Sequence, residues 1–362
     1  MTAPIDPVED AASRLGVFLA NRNHAPFLAA SIEGLLNQTV TPAEIQIVDD
    51  ASTDESRDII SRYAAKHSII KPVFLPENRG VVANMVRFVA DSDAEYVYFA
   101  ASDDVTMPNL LEESLRLLIH HPEAGLCSSL CRLMDEDGHD LGPYKSFITP
   151  SELGYIPPNR VAQLLMNFDT WMIGNATVYR NKALRSIGNF DTSLHGFTDG
   201  FASRAIALGS GAVFVEKELS YWRKMNSGQA AITNTEPALV HHVAAKALQL
   251  MSTTQADRFP QAYGKVWKNR WIYGALTSCL RGTPENPWPA IEAILSPAYS
   301  MDALAISLCR NLGELGRMAF ELYLIFRLRA KDLMMCLSPT KINSLVRRKI
   351  IALKNPGNRP HG

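Results

Sequence analysis

The chain has 362 residues, of which 47% are hydrophobic and 20% charged, with a formal net charge of −1. This length suits one large domain with an appendage, or two domains, and the composition excludes a disordered or collagenous chain. The near-neutral charge gives no basis for nucleic-acid binding, and the five cysteines show neither metal-ligand spacing with histidines nor a disulfide framework.

In chain order, residues 1–13 read as a flexible leader. Its acids Asp6, Glu9 and Asp10 do not fit a basic-then-apolar secretion signal. Leu15–Ala20 (LGVFLA) is an apolar run of strand length, followed by the polar loop Asn21-Arg22-Asn23-His24. Apolar residues recur at helical spacing from Pro26 to Leu36. Glu44–Val48 is a second strand with the exit loop Asp49-Asp50-Ala51-Ser52-Thr53-Asp54. Asp54 stands where it would cap the helix predicted over Ser56–His67. Ile69–Leu75 is a third strand ending in Pro76–Gly80, Val81–Ala90 a third helix, and Tyr96–Ala100 a fourth strand. Strand alternating with helix specifies a doubly wound, parallel α/β sheet with right-handed crossovers.

The stretch Phe99–Pro108 (FAASDDVTMP) sets Asp103 and Asp104 side by side at the carboxyl end of the fourth strand. Open α/β sheets bind ligands at that edge. A hard divalent cation bridging phosphate oxygens takes one or two such carboxylates. The alternative is a solvated turn leading into the helix of Asn109–His121. No Gly-x-Gly-x-x-Gly follows the first strand and no Gly-Lys-Ser/Thr loop occurs, which argues against a dinucleotide oxidoreductase and a P-loop ATPase.

Gly125–Leu133 reads as a further strand, Asp135–Gly138 as a turn, and residues 139–160 as a loop. Val161–Asn167 is a short helix, Gly174–Tyr179 a strand, Asn181–Ile187 a helix, and Asp191–Asp199 a loop. Phe201–Leu208 is a helix, Ala212–Val215 a strand, and Tyr221-Trp222-Arg223-Lys224 the start of a strand or loop. From Glu236 onward long helical patterns dominate, so the expected division is a catalytic domain over 14–232 and a helical region over 233–362. Residues 323–362 hold nine Lys/Arg and one Asp/Glu, a local +8 that leaves the first 322 residues at −9. A basic tail on an acidic body fits an anionic partner such as a cytoplasmic membrane face. The stripe Leu322, Leu324, Ile325, Phe326 and Leu328, with Arg327, Arg329 and Lys331, fits a membrane interface and packing on the catalytic domain equally well. With reduced cysteines and no uncharged apolar run of bilayer length, a cytoplasmic location is expected, peripheral on the membrane.

Taken in order, LANRNH, VDDASTD, NRG and ASDD with its following MP resemble the segments of family 2 glycosyltransferases of the GT-A fold. IGNFD, with Gly188, resembles the family's Gly-Gly-Phe-Asp segment. Phe197-Thr198-Asp199 resembles its Glu-Asp or Thr-Glu-Asp segment, and Tyr221-Trp222-Arg223 its Tyr-Tyr-Arg segment. The resemblance spans residues 14–230. It implies a mostly parallel, Rossmann-like sheet flanked by helices, with a helical C-terminal extension outside the family pattern.

The resemblance also implies roles. Asp50 matches the contact to the uracil or other base of a nucleotide sugar, and Ala20 and Asn23 match positions lining the nucleotide. Arg79 falls near the nucleotide or its phosphates, and Asp103 faces the ribose and donor sugar. Asp104 matches the ligand of Mn²⁺ or Mg²⁺ on the diphosphate, and Asp199 the general base of an inverting transfer. A plain helix N-cap is the alternative for Asp199. The donor implied is a nucleoside-diphosphate sugar, a UDP-sugar before others. The acceptor implied is a saccharide or lipid-linked saccharide in surface polysaccharide or glycoconjugate assembly. The sequence departs from the pattern at Ala101, where an acid is commoner, at Thr198 before the base, and at Met225, where the family often has His; Lys224 stands beside that gap to neutralise the diphosphate. These departures keep open a non-catalytic nucleotide-sugar-binding or membrane-surface scaffold protein on the same fold.

Overall fold

The short apolar runs become the inner strands of one mixed sheet. In this computed structural model the strands are β1 (Leu15–Asn21), β2 (Glu44–Asp49), β3 (Ile70–Phe74), β4 (Tyr96–Ala101), β5 (Val105–Thr106), β6 (Leu126–Met134), β7 (Asp140–Pro143), β8 (Tyr155–Ile156), β9 (Thr177–Arg180) and β10 (Ala212–Arg223). The structure describes residues 6–144, 154–167, 169, 171–225, 229–282, 286–296 and 299–329. They fall into two compact units, Met1–Thr233 with His241–Gly264, and Asn234–Val240 with Lys265–Gly362.

The sheet runs β3-β2-β1-β4-β9-β6-β10-β5, with β7 on β6 and β8 on β10. Strands β3, β2, β1 and β4 are parallel, and Val17 of β1 lies between Ile45 and Tyr98. Both faces of β1 and β4 are covered, which is why they read as continuous apolar runs rather than alternating ones. β3 is an edge strand and accordingly tolerates Pro72, whose missing N–H needs no inner partner. Leu28, Ile32 and Leu35 of helix Ala25–Leu36 and Leu111 and Leu115 of helix Leu110–His120 share a core with Val17 and Leu19. Phe88 of helix Val81–Asp91 meets Phe18 at 5.3 Å and Phe99 at 5.9 Å between ring centroids. This α/β architecture, with its helical C-terminal region, matches the expected fold class.

Several elements differ from expectation. Beyond β4 the sheet is no longer mostly parallel: β9 is antiparallel to both β4 and β6, and β10 is parallel to β6 but antiparallel to β5 and β8. The flexible leader expected over 1–13 contains a helix, Pro7–Ala12, that buries Val8, Ala11 and Ala12. Asp6 caps it by accepting from the Val8 amide at 2.7 Å. The stretch read as a strand from Gly174 opens with a 3₁₀ turn, Gly174–Ala176, before β9. The expected loop 191–199 is 3₁₀ helical over Thr192–Phe197 with a kink at His195 (φ 48°), and runs into helix Thr198–Ser210. The expected strand 212–215 and the Tyr221-Trp222-Arg223 segment are one strand, β10, whose register shifts around Glu218.

In the second unit, helices Trp288–Ile294, Ser300–Cys309 and Gly313–Arg329 share a core of Trp288, Ile291, Ile306, Phe320 and Leu324. The C-terminal stripe is therefore two faces: Leu324 and Ile325 point into this core, while Leu322 and Phe326 are exposed. Lys331 and Cys336 lie outside the described residues; the other four cysteines are free and buried. Among the described residues no helix is long and apolar enough to cross a membrane.

Candidate active site

The loops leaving β1 and β2 are stitched to each other. Asp49, fully buried, accepts from Asn21 Nδ2 at 2.9 Å, the Ser52 amide at 3.1 Å and Arg57 Nε at 2.8 Å. Burial works to raise this carboxyl, but the hydrogen bonds from Ser52, Arg57 and Asn21 outweigh it and hold Asp49 below its ordinary value. A carboxyl depressed by folding adds stability above its unfolded pKa, and that stability is lost as pH falls through the folded value. Asp49→Ala should therefore lower Tm at neutral pH, with the gap to wild type closing in acid; thermal melts across pH check this. Asn23 and Ala51 both adopt left-handed backbone (φ 55° and 58°). The Asn23 amide donates to Ser52 Oγ at 2.9 Å, and its Oδ1 accepts from the Thr53 amide at 2.8 Å. Asp54 accepts from the Ala25 and Ser56 amides, each at 3.0 Å, and so caps the starts of two helices. Ala20 is half-buried on β1, in register with Val48 and Ala101.

Asp50 is 5% exposed and accepts from the backbone amides of Arg79 and Gly80, each at 2.8 Å. The loop after β3 thus hangs on the carboxylate at the end of β2. Gly80 takes φ 86° there, a conformation that suits glycine before helix Val81–Asp91. The Arg79 side chain is 47% exposed and lies 3.7 Å from Glu77, so its main chain rather than its guanidinium engages Asp50.

After β4 the chain turns at Ser102, whose hydroxyl meets His24 Nδ1 at 2.8 Å. Asp103 and Asp104 follow, both half-buried. Asp104 Oδ1 accepts from the Arg223 amide and Oδ2 from Asn175 Nδ2, each at 2.8 Å. Burial raises the Asp104 carboxyl above its ordinary value, and the neighbouring Asp103 charge pushes it the same way. The Arg223 guanidinium is buried and ties three backbone carbonyls together: Nε donates to Asp103 at 2.8 Å, and Nη1 to Asp135 and Glu136 at 2.9 Å each. It also lies 4.6 Å over the Phe27 ring. A separate group with ligand atoms within 4.8 Å of one another, Asp135, Asp137 and His139, sits on that turn and does not include Asp104.

Asp199 is the second residue of helix Thr198–Ser210 and accepts from the Gly200 amide at 2.7 Å. Burial raises its carboxyl. Its Oδ2 occupies the space beside Gly174, where any Cβ would lie 1.9 Å from it. The 3₁₀ turn thus joins two acids: Gly174 abuts Asp199, and Asn175 holds Asp104. Tyr98 OH fixes the turn by donating to the Asn175 carbonyl at 2.8 Å. Nearly two turns into the helix, Arg204 pairs with Asp169 at 2.7 Å, and Tyr263 OH donates to Asp169 Oδ2 at 2.7 Å.

Gly174, Asn175 and the Arg204–Asp169–Tyr263 group were not singled out from sequence, and Arg223 entered only within a motif. Asp104 and Asp199 each contact the Gly174–Ala176 turn, through Asn175 and Gly174 respectively. Asp50 stands at the same edge of the sheet, its amide bonded to the Asn21 carbonyl at 2.9 Å.

The sheet order and its flanking helices are those of the GT-A fold. Residues 17–188 match the family described as Glycosyl transferase family 2. This match takes in a little under half of the chain, from β1 through the residues just before Asn189. The putative teichuronic acid biosynthesis glycosyltransferase TuaG of Bacillus subtilis is 30% identical over 142 residues, 39% of this chain and 55% of TuaG. Among solved structures, S. aureus TarS 1-349 in complex with UDP-GlcNAc aligns at TM-score 0.58 and 15% identity, over 89% of this chain and 91% of TarS. Mannosyltransferase PcManGT from Pyrobaculum calidifontis, in complex with GDP-Man and Mn²⁺, aligns at TM-score 0.52 and 18% identity, over 88% and 87%. At these identities the structural matches establish the fold. The first curated relatives, 34% identical, are matched over 34% of their own length.

Proposed function

We propose that the protein is an inverting glycosyltransferase that moves a sugar from a nucleoside-diphosphate sugar to an acceptor hydroxyl. The observation that carries this reading is the Gly174–Asn175 turn, which sets Asp199 beside the residue that holds Asp104. Asp199 is the base: its carboxylate takes the acceptor proton as that oxygen attacks the anomeric carbon. The bond to the diphosphate breaks with its electron pair leaving on the diphosphate, and the configuration inverts. A carboxyl raised by burial is a stronger base nearer neutral pH than an ordinary one.

Asp50 and the loops bearing Ala20, Asn23 and Arg79 form the nucleotide side of the site, and Asp103 faces the ribose and donor sugar. The donor set suits a hard cation. Two adjacent carboxylates carry like charge, Asp104 is raised partly for that reason, and further oxygens come from the diphosphate and water. Mn²⁺ or Mg²⁺ held by Asp104 would offset the charge on the leaving diphosphate. The complexes of TarS with UDP-GlcNAc and of PcManGT with GDP-Man and Mn²⁺ support the donor class and the cation. The acceptor in this reading is a saccharide or lipid-linked saccharide at an anionic membrane surface, in polysaccharide assembly; the name of TuaG supports the last point.

Chromatography of nucleoside diphosphate released from UDP- and GDP-sugars, with Mn²⁺ or Mg²⁺, tests the reading. One donor should be hydrolysed slowly without acceptor. No release from any donor, together with no thermal shift by UDP or GDP plus Mn²⁺, would overturn it. Gly174→Ala should lower turnover by about 10²-fold, because a methyl there displaces Asp199 from its position. Its Tm should change little, and single-turnover kinetics with unchanged nucleotide affinity would identify the defect as one of positioning.

A further inference from the structure

We propose that the outward face of the helix pair 300–309 and 313–329 is a docking surface for an anionic lipid bilayer. This deepens the membrane-surface part of the reading above by assigning the residues that make the contact. The two helices are joined by the short connection Arg310–Leu312, and Gly316 packs so closely on Cys309 that a Cβ would lie 1.9 Å from its carbonyl oxygen.

The inner face of the pair is fully used. Ile306, Cys309, Phe320, Leu324 and Ile325 are buried in the unit's core. Asp302, 1% exposed, accepts from Tyr323 OH and from Arg327 Nε, so polar groups also lock one helix to the other. The outer face is apolar and unburied. Met301, Leu304 and Leu308 recur at helical spacing on the first helix. Leu315, Met318, Leu322 and Phe326 do so on the second. Leu308 is 63%, Leu315 73% and Phe326 59% exposed. Scattered exposed leucines need no explanation, but two rows on two packed helices do.

Charge selects the occupant. The rows themselves carry few charges; Arg310 pairs with Glu292 and Glu314 with Arg317. Residues 323–362 bring nine Lys/Arg against one Asp/Glu. Stable attachment to a bilayer takes two signals, a buried apolar face and a basic segment that meets anionic headgroups, and both are present in adjoining sequence.

The test uses the full chain in a vesicle-sedimentation assay. Wild type should pellet with vesicles containing phosphatidylglycerol and much less with phosphatidylcholine alone. The double variant Leu308→Ser/Leu315→Ser, at exposed positions that leave the core and the net charge intact, should bind the anionic vesicles at least tenfold more weakly. Donor hydrolysis measured on the same variant should match wild type, so loss of lipid binding and loss of catalysis are read separately. Two outcomes would overturn the inference. One is wild type remaining in the supernatant with anionic vesicles, or the double variant pelleting with them as wild type does. The other is wild type forming a dimer by light scattering that the double variant converts to monomer, which would assign the face to a second copy of this chain.

Discussion

Replacing Asp199 by Asn is expected to cut sugar transfer by about 10²- to 10⁴-fold, the range seen when a positioned base is lost. Asparagine keeps the shape and an oxygen for the Gly200 amide, so helix Thr198–Ser210 retains its first turn. Nucleotide affinity should stay within about twofold, because the base acts on the acceptor and is felt chiefly in the transition state. The raised carboxyl adds a second readout. A carboxyl whose folded pKa lies above its unfolded value binds more protons when folded. Its contribution to stability then falls as pH rises from the unfolded towards the folded value. Neutralising it should leave Tm at neutral pH unchanged or higher. If Asp199 were only a helix cap, the same substitution would leave turnover near wild type. The acid limb of the wild-type pH–rate profile should lie above the ordinary carboxylate range, since the base must be ionised to accept a proton. An Asp199→Asn variant turning over at the wild-type rate would remove Asp199 from the mechanism.

How much of this was legible in the sequence depends on how local the cause was. β1 and β4 are covered on both faces, so their burial is written as unbroken apolar runs, and their exit loops followed directly. β10 was read as two pieces because Glu216 and Lys217 interrupt its apolar pattern where the register shifts. The helix at Pro7 has a local signal: Asp6 as N-cap, Pro7 at the first helical position, and Val8, Ala11 and Ala12 at helical spacing. The Gly174-Asn175 pair marked a turn at the head of what otherwise looked like a strand. That Asn175 holds Asp104 was not legible, since its partner lies 71 residues earlier and only the antiparallel insertion of β9 between β4 and β6 brings them together. Arg204, Asp169 and Tyr263 are likewise a tertiary group with no sequence spacing of their own.

Asp104→Ala is expected to abolish the stabilisation that Mn²⁺ adds to nucleoside-diphosphate binding, and to weaken donor binding in Mn²⁺ by at least tenfold, about 1.4 kcal/mol or more. The reason is visible in how the carboxylate is held. Arg223 and Asn175 each spend one donor on it, and the Arg223 guanidinium fixes Asp103, Asp135 and Glu136 at the same time. These bonds fix Asp104's orientation while leaving lone pairs on both oxygens for a cation. Removing the carboxylate leaves the Arg223 amide and Asn175 Nδ2 without their acceptor, so part of any Tm loss is structural. Asp104→Asn separates the two effects. Its oxygen still serves the Arg223 amide, but its NH₂ faces that of Asn175, and it brings no negative charge to a divalent ion. Thermal shifts with UDP and GDP, each with and without Mn²⁺, should show the Asp104→Asn variant folding while the Mn²⁺-dependent increment disappears. If Mn²⁺ raised the melting temperature of the nucleotide complex equally in wild type and in that variant, the cation would be bound elsewhere. The Asp135, Asp137 and His139 group beside Arg223 would then be the next residues to substitute.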